Sequence, residues 1–474
     1  MSFVRYGTPA GRWVLLATVL GSGMAFIDGT VVNIALPSIG AEFGADAAAL
    51  QWTVNGYLLP LAAFILLGGS LGDRFGRRRV FVIGVAWFAT ASLLCGIAPN
   101  VAALIAARAL QGIGGALLVP GSLAILQSSF HPDDRSRAIG SWSGLAGIAG
   151  AAGPFIGGWL VDVASWRLVF LINVPLAIAV IAVAVRHVPE SRDPDAARQI
   201  DVAGALTGAI GLALVTYGFT AWPERGATDP LVLGTLAVGA LAMLGFVAIE
   251  ARSPHPMLPL EVFRSRVFSA ANVVTFVVYG AIGGLFFFLV ITLQVVVGFS
   301  PLAAGLAPLP VTLLMLVLSA RAGGLAQRIG PRIPMSVGPL VCAAGALLLA
   351  GIDAGSTYVA DVLPGVVVFG LGLSLTVAPL TVTVLAAVAD RHAGVASGVN
   401  NAVARAAGLV AVAVLPLAAG VGTSLIDPVT LAPANRTSML LCAGLLAAGG
   451  LLALATIPSS LAAVRPDDAV PDDA

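Results

Sequence analysis

The sequence predicts an all-α integral membrane protein with fourteen transmembrane helices. Three observations lead to this fold class. First, 58% of the 474 residues are hydrophobic and only 10% are charged, a composition too apolar for the polar surface of a water-soluble domain. Second, apolar runs of about 20 residues, long enough for a helix to cross a hydrocarbon core of about 30 Å, recur along nearly the whole chain. Third, the arginines between these runs are concentrated on one side of the predicted membrane.

The apolar runs between polar segments give the predicted spans in order. Arg5 and Arg12 precede the first run, which is too long for the hydrophobic region of a signal peptide and is expected to remain as the first span. Proline and glycine within several spans are tolerated because neighbouring helices shelter the freed backbone groups. The predicted spans are 13–36, 50–71, 79–98, 101–127, 138–163, 166–186, 201–221, 230–250, 269–292, 302–322, 333–352, 359–388, 394–420 and 437–458.

The distribution of arginine predicts the orientation. With a cytoplasmic N-terminus, 19 of the 24 arginines fall in cytoplasmic segments or at cytoplasmic span ends, three fall outside, and two, Arg108 and Arg405, lie in the interior of spans. The positive-inside rule favours this orientation. We therefore expect a multi-pass protein of the cytoplasmic (inner) membrane with both termini in the cytoplasm.

Two distant segments of the chain resemble each other. GSLGDRFGRR, from Gly69 to Arg78, and GGLAQRIGPR, from Gly323 to Arg332, follow predicted spans 2 and 10 and start 254 residues apart. A similar offset of 256 residues separates Asp134 from Asp390. Such a repeat indicates two parallel six-helix halves. The expected parts are an N-terminal half at 1–186, a cytoplasmic linker with two inserted helices at 187–268, a C-terminal half at 269–458 and a cytoplasmic acidic tail at 459–474.

Two six-helix halves in parallel are the plan of the major facilitator superfamily, and several stretches resemble its fourteen-helix drug:proton antiporter family. These stretches are FIDGTVVNIALP (26–37), RALQGIGGALLVP (108–120), GAAGPFIGGWL (150–160), WRLVFLINVP (166–175), LQVVVGFSPLAAGLAPLP (293–310) and ASGVNNAVARAAG (396–408). The resemblance covers essentially residues 12 to 458. It implies a major facilitator fold and a proton-coupled antiporter that exports drugs or a natural-product antibiotic by alternating access.

The segment GSLGDRFGRRR looks like the superfamily's signature between helices 2 and 3. A carboxylate at a helix end that faces cytoplasmic guanidinium groups can hold two helices together in one conformation and release them in another. A positive-inside anchor alone is the alternative. We assign this conformational latch to Asp73, Arg74, Gly76, Arg77 and Arg78.

Asp28 is the only acid well inside a predicted span, where a charge costs at least about 2.5–3.5 kcal/mol. At 1.5 Å per residue, Asp28 lies about 12 Å from the outer end of the first span, and Arg108 lies about 10 Å from the outer end of the fourth. We expect electrostatic communication at this shared depth, with direct contact left open. A proton-coupling role for both residues is also what the family resemblance implies, whereas the alternative is a fixed ion pair that holds two helices together.

The segment GAAGPFIGG brings small residues onto one face of the fifth span. Small residues allow two helices to approach closely, and proline bends a helix. We expect a tight hinge here, with a generic packing motif as the alternative. The hinge residues are Gly153, Pro154, Gly157 and Gly158.

The substrate cavity is expected to be apolar and aromatic with a few polar groups, suited to a hydrophobic and cationic small molecule. For Arg405, capping of backbone carbonyl groups and a cavity-facing role are both open. The cavity candidates are Asn33, Trp52, Asn55, Tyr57, Gln111, Asn173, Tyr279, Gln294, Asn400, Asn401 and Arg405.

The sequence has no nucleophile with an adjacent base, no cysteine and histidine cluster at metal-ligand spacing, and no phosphate-binding loop. We therefore expect neither an enzyme nor a metal site, and no cofactor, because the proton gradient would drive transport. The expected partners are the substrate, protons and the lipid bilayer, with no nucleic acid, and the chain is expected to be a monomer. Two alternatives remain: a proton-coupled uptake transporter, and a non-transporting membrane sensor, which would be expected to carry an appended soluble domain.

Overall fold

The computed structural model describes residues 3–193, 201–254, 256–388, 393–422, 424–460 and 464. Within these residues, fourteen helical segments are long and apolar enough to cross a membrane. This agrees with the predicted all-α class and with the fourteen predicted spans. Asp390, used above for the sequence repeat, and residues 461–463 and 465–474 of the predicted tail lie outside the described residues.

Most of the helices are joined by short connections. A 3₁₀ helix at Leu260–Arg264 precedes α10, and a π-helical turn at Tyr358–Val362 precedes α14. In chain order the helices are α1 (Pro9–Phe43), α2 (Ala47–Phe75), α3 (Arg77–Gly96), α4 (Val101–Ser129), α5 (Pro132–Val163), α6 (Leu168–Leu171), α7 (Asn173–His187), α8 (Val202–Arg225), α9 (Pro230–Arg252), α10 (Arg266–Val295), α11 (Pro301–Leu306), α12 (Leu309–Ile329), α13 (Arg332–Leu349), α14 (Leu363–Ala386), α15 (Ala393–Ala418) and α16 (Pro428–Thr456).

Several predicted spans are shorter than the observed helices, since α5 already begins at Pro132 and α12 continues to Ile329. Two further ends show the reason. Helix α1 continues through Pro37 to Phe43 and stops at Gly44, which has a left-handed φ of 60°. Helix α16 begins at Pro428, where Asp427 caps the helix by accepting hydrogen bonds from two backbone N–H groups. Apolar runs mark the part of a helix that crosses hydrocarbon, whereas the helix itself continues to its cap.

The first compact unit comprises residues 1–257, 299–306 and 422–426. Within it, α2 packs closely on α4 and α1 on α5, and α8 contacts both α9 and α2. The approach of α4 to α2 depends on glycine: a Cβ atom on Gly68 would overlap the carbonyl oxygen of Ala116, and one on Gly112 would overlap that of Tyr57. This close approach brings the side chains of α4 against the backbone of α2.

The second compact unit comprises residues 258–298, 307–421 and 427–474. Within it, α13 packs on α14, and α10 packs on α15 and α16. The sequence repeat has a structural counterpart, because Gly76 after α2 and Gly330 after α12 have φ angles of 114° and 84°. Only glycine adopts such angles without strain. The predicted boundaries between halves, insertion and tail stay a prediction.

Candidate functional site

A buried ion pair joins α1 and α4. Nη1 of Arg108 donates a hydrogen bond to Oδ2 of Asp28 at 2.5 Å. Asp28 is 0% exposed and Arg108 is 1% exposed. Charges removed from water are tolerated mainly when they are paired, because desolvation of either charge alone is costly. The two residues that we expected at one depth are therefore in direct contact.

Two amides complete the environment of the Asp28 carboxylate. Nε2 of Gln111 donates to Oδ1 at 2.8 Å, and Nδ2 of Asn173 lies 3.4 Å from the same oxygen. Both amide nitrogens also donate to Oγ of Ser92, at 3.1 and 3.0 Å. The Ser92 hydroxyl in turn donates to the carbonyl oxygen of Phe170 at 2.8 Å. Side chains from α1, α3, α4 and α7 thus form one hydrogen-bonded cluster around the carboxylate.

The guanidinium group of Arg108 is fixed by three further contacts. Its Nε donates to the carbonyl oxygen of Thr53 at 3.1 Å, and its Nη1 donates to Oε1 of Gln111 at 2.6 Å. Its Cζ lies 4.3 Å from the centre of the Tyr57 ring. A guanidinium stacked on an aromatic ring keeps its planar donors aimed in fixed directions. Arg108 can therefore donate its hydrogen bond to Asp28 without a change of side-chain rotamer.

The ion-pair cluster is closed to solvent. Since Asp28 is 0% exposed and Arg108 is 1% exposed, a solute can reach the carboxylate only after the surrounding helices open. Access to the carboxylate is thereby linked to the packing of α1 against α4.

The residues of the predicted latch lie at the junction of α2 and α3. Oδ1 of Asp73 accepts a hydrogen bond from Nε of Arg77 at 2.7 Å, which joins the end of one helix to the start of the next. Gly76 lies between them with its φ of 114°. The guanidinium carbon of Arg74 lies 4.9 Å from the centre of the Phe75 ring.

Arg78 binds the segment that follows α7. Its Nη1 donates to the carbonyl oxygen of Val188 at 3.1 Å, and its Nε lies 3.6 Å from Oε2 of Glu190. Its backbone N–H donates to the other Glu190 oxygen at 3.1 Å. Glu190 is not among the residues predicted from the sequence. The signal that could have identified it is an acid following the sixth span, on the same predicted side as the arginines of the latch.

The predicted hinge lies where α5 contacts α1. A Cβ atom on Gly153 would lie 3.2 Å from both Cα and the carbonyl oxygen of Ile27. A Cβ atom on Gly157 would overlap Cγ2 of Val31. Gly158 approaches the first residues of α11, since a Cβ atom there would lie 2.6 Å from the carbonyl oxygen of Pro301. Three of the four hinge residues therefore permit contacts that a larger residue would prevent.

The cavity candidates of the first unit fall into two groups. The half-buried Trp52 lies against the Tyr217 ring of α8, with ring centres 6.5 Å apart. Asn55 is 0% exposed, and neither of its side-chain polar atoms has a hydrogen-bond partner among the described residues. Asn33 is half-buried, and its Oδ1 also has no partner among them. The other group belongs to the ion-pair cluster: Tyr57, Gln111 and Asn173.

A smaller polar cluster lies in the second unit between α10 and α15. Nδ2 of Asn400 donates to Oδ1 of Asn272 at 3.2 Å and to Oγ1 of Thr275 at 2.7 Å. Asn272 and Thr275 are not among the residues predicted from the sequence, because their only signal is a polar side chain within an apolar span. Asn401 is exposed, and the other candidates of this unit are half-buried: Tyr279, Gln294 and Arg405.

Metal-binding side chains are not clustered in the described part of the chain. No group of three or more histidine, cysteine, aspartate or glutamate residues there is arranged to hold a metal ion. The cysteines Cys95, Cys342 and Cys442 are buried and free. The polar clusters described above consist of hydrogen bonds and ion pairs.

Comparison with known proteins identifies relatives of this chain. A sequence profile described as the Major Facilitator Superfamily matches residues 18–413. The chain is 38% identical to the tetracenomycin C resistance and export protein of Streptomyces glaucescens, over 85% of this chain and 74% of that protein. It is 36% identical to the puromycin resistance protein of Streptomyces alboniger, over 86% of this chain and 81% of that protein.

The solved structures that resemble this chain share its fold at low sequence identity. One is a bacterial homologue of the human lysosomal transporter Spinster, in an inward-facing and unoccupied conformation. It has a TM-score of 0.69 and 19% identity, over 98% of this chain and 100% of that chain.

Proposed function

Because this chain belongs to the major facilitator superfamily, we propose that it is a proton-coupled antiporter that exports a hydrophobic small molecule from the cytoplasm. The substrate is a cationic drug or a natural-product antibiotic. The names of the two relatives, which refer to antibiotic resistance and export, support this direction of transport. The observation that carries the proposal is the buried Asp28 carboxylate, held by Arg108, Gln111 and Asn173.

Coupling follows from competition for this one carboxylate. A proton on Asp28 removes its negative charge and weakens the charge-assisted hydrogen bond from Arg108, which is stronger than a neutral one. A cationic substrate can hold the ionised carboxylate only when the proton is absent and Arg108 has moved. Because proton and substrate cannot occupy Asp28 together, inward movement of one drives outward movement of the other.

The direction of the cycle follows from the proposed orientation, with both termini in the cytoplasm of an inner-membrane protein. Asp28 receives a proton when the site opens to the outside and releases it when the site opens to the cytoplasm. The membrane potential contributes about 2.3 kcal/mol per elementary charge for each 100 mV. The proton gradient is the energy source in this proposal, and no cofactor is required.

The other two predicted sites control the movement. Asp73 and Arg77 join α2 to α3 in the arrangement described. The ion pair between them and the pair between Arg78 and Glu190 are both partly exposed. Pairs of this kind contribute little stability, about 0–1 kcal/mol, and so can break and reform during a cycle. Close packing of Gly153 and Gly157 against α1 is proposed to prevent a proton leak during the same movement.

Proton release from acidified inside-out vesicles tests the proposal. Lipophilic cations and antibiotics are added to vesicles that contain wild type, Asp28→Asn or Asp162→Asn, and the internal pH is followed with a fluorescent indicator. Asp162 is exposed near the end of α5, so its substitution makes the same chemical change away from the site. We expect proton release from wild type and Asp162→Asn, and none from Asp28→Asn.

Equal proton release from all three proteins would show that Asp28 is structural. Movement of the substrate in the same direction as the protons, with net accumulation on the cytoplasmic side, would support uptake instead of export. Gel filtration of each purified variant in detergent controls for misfolding.

A further inference from the structure

An acidic pocket opens in the first unit between the start of α2 and the end of α8, apart from the ion-pair cluster. Its volume is about 210 Å³. Asp46 and Glu224 are exposed and form its rim, whereas Gln51 and Thr220 are each 2% exposed and form its base. The pocket therefore combines two carboxylates with a buried polar floor.

Two buried atoms of the pocket have unused hydrogen-bonding capacity. Oε1 of Gln51 and Oγ1 of Thr220 have no hydrogen-bond partner among the described residues. Buried polar atoms in native proteins are nearly always paired with protein, water or a ligand. The two atoms thus point to a hydrogen-bonding ligand that enters from the acidic rim.

Buried polar side chains also lie one helical turn further from the pocket rim on both helices. The shared pocket places Gln51 beside Thr220, and the ring contact places Trp52 beside Tyr217, so α2 and α8 run antiparallel. One turn along α2 from Gln51 is Asn55, and one turn back along α8 from Thr220 is Thr216. Asn55 and Thr216 are at most 1% exposed, and both have polar side-chain atoms with no partner among the described residues.

The composition of the pocket selects the class of ligand. Two carboxylates and an amide oxygen are acceptors, and a hydroxyl can also accept, so a cation with several N–H donors fits them best. The adjacent Arg225 lies 4.0 Å from Asp229, which partly neutralises it. A volume of about 210 Å³ exceeds that of a bare metal ion, and it is below the roughly 300–1,000 Å³ of sites for drug-sized ligands.

We infer that this pocket binds the primary ammonium group of a small organic amine, or of the amine-bearing end of a larger substrate. With the orientation proposed above, the pocket opens on the outer face and serves as an exit subsite. This last role rests on the proposed function, whereas ammonium binding does not.

Isothermal titration calorimetry of the full-length protein in lipid nanodiscs tests the inference, with 2-phenylethylammonium as the probe. Asp28→Asn is the background throughout, so that the ion-pair cluster does not contribute a binding carboxylate. The test variant adds Asp46→Asn and Glu224→Gln, and asparagine still caps α2 as Asp46 does. The matched control instead adds Asp162→Asn, and Thr220→Val provides a third variant that removes only the hydroxyl.

We expect the probe to bind the background and the Asp162→Asn control with the same Kd. Loss of both rim charges is expected to raise the Kd about thirtyfold, which corresponds to about 2 kcal/mol. Thr220→Val is expected to raise it severalfold. The neutral analogue 2-phenylethanol is expected not to bind.

Three results would overturn the inference: an unchanged Kd in the rim variant, equal binding of 2-phenylethanol, or displacement of the probe by millimolar Ca²⁺ that itself binds more tightly. Absence of probe binding to the background protein would also overturn it. Because the proton-release assay measures transport separately, loss of transport with retained binding would contradict the proposed function alone.

Discussion

The contact between α1 and α5 predicts a specific steric conflict. A methyl group on Gly157 would overlap Cγ2 of Val31, whose side chain is 1% exposed. Inserting a methyl group into a well-packed site typically costs about 1–3 kcal/mol, so we expect Gly157→Ala to destabilise the protein by about 2 kcal/mol. Val31→Ala removes the conflicting methyl group, and the double variant should recover most of this loss.

Thermal unfolding in lipid nanodiscs measures the effect, with Gly144→Ala as the control. Gly144 is on the same helix, and a Cβ atom there meets no other described atom within 4 Å. Both substitutions replace glycine with a better helix former, so the control cancels that gain. An equal Tm for Gly157→Ala and Gly144→Ala, or no rescue by Val31→Ala, would refute close packing at this contact.

Three further substitutions have defined outcomes. Arg108→Gln leaves the carboxylate of Asp28 buried without a cation, so unfolding measurements should show a loss of about 3–5 kcal/mol, partly restored by adding Asp28→Asn. Asn400→Leu removes the donor to two side chains on α10 and should cost about 1–3 kcal/mol, whereas the exposed Asn401→Leu should change the Tm little. Glu190→Gln breaks a partly exposed pair and should change stability by at most about 1 kcal/mol, yet alter the rate of transport in vesicles.

Each of these predictions has a contradicting result. If the stability losses of Arg108→Gln and Asp28→Asn simply add in the double variant, the two charges do not stabilise each other. Equal effects of the two asparagine substitutions would contradict the polar cluster between α10 and α15. An unchanged transport rate in Glu190→Gln would mean that the segment after α7 does not act with the latch.

The fourteen membrane-crossing helices could be predicted because the length of a hydrophobic run reflects the thickness of the bilayer, whereas the orientation taken from arginine placement stays a prediction. Helix ends were harder to predict, since the end of α1 is set by Gly44 and the start of α16 by Asp427, both beyond the apolar runs. Asp28 and Arg108 were predicted to lie at the same depth, and the structure shows them in contact.

The partners of this pair could not be predicted, because side-chain direction depends on how four helices rotate against one another. Gln111 and Asn173 were candidates for a substrate cavity, and the structure places both at the Asp28 carboxylate. Ser92 gave no signal, since a serine in an apolar span usually bonds its own helix. The acidic pocket was equally hidden, because its two walls come from helices far apart in the chain.

Exchange of a proton for substrate at Asp28 is the central claim, and infrared difference spectroscopy observes it directly. A compound active in the proton-release assay is added to the protein in lipid at acidic pH. We predict loss of a protonated carboxyl band and gain of carboxylate bands in wild type and in Asp162→Asn, and neither change in Asp28→Asn. The same difference spectrum in Asp28→Asn would show that another carboxyl group carries the proton and would contradict the mechanism.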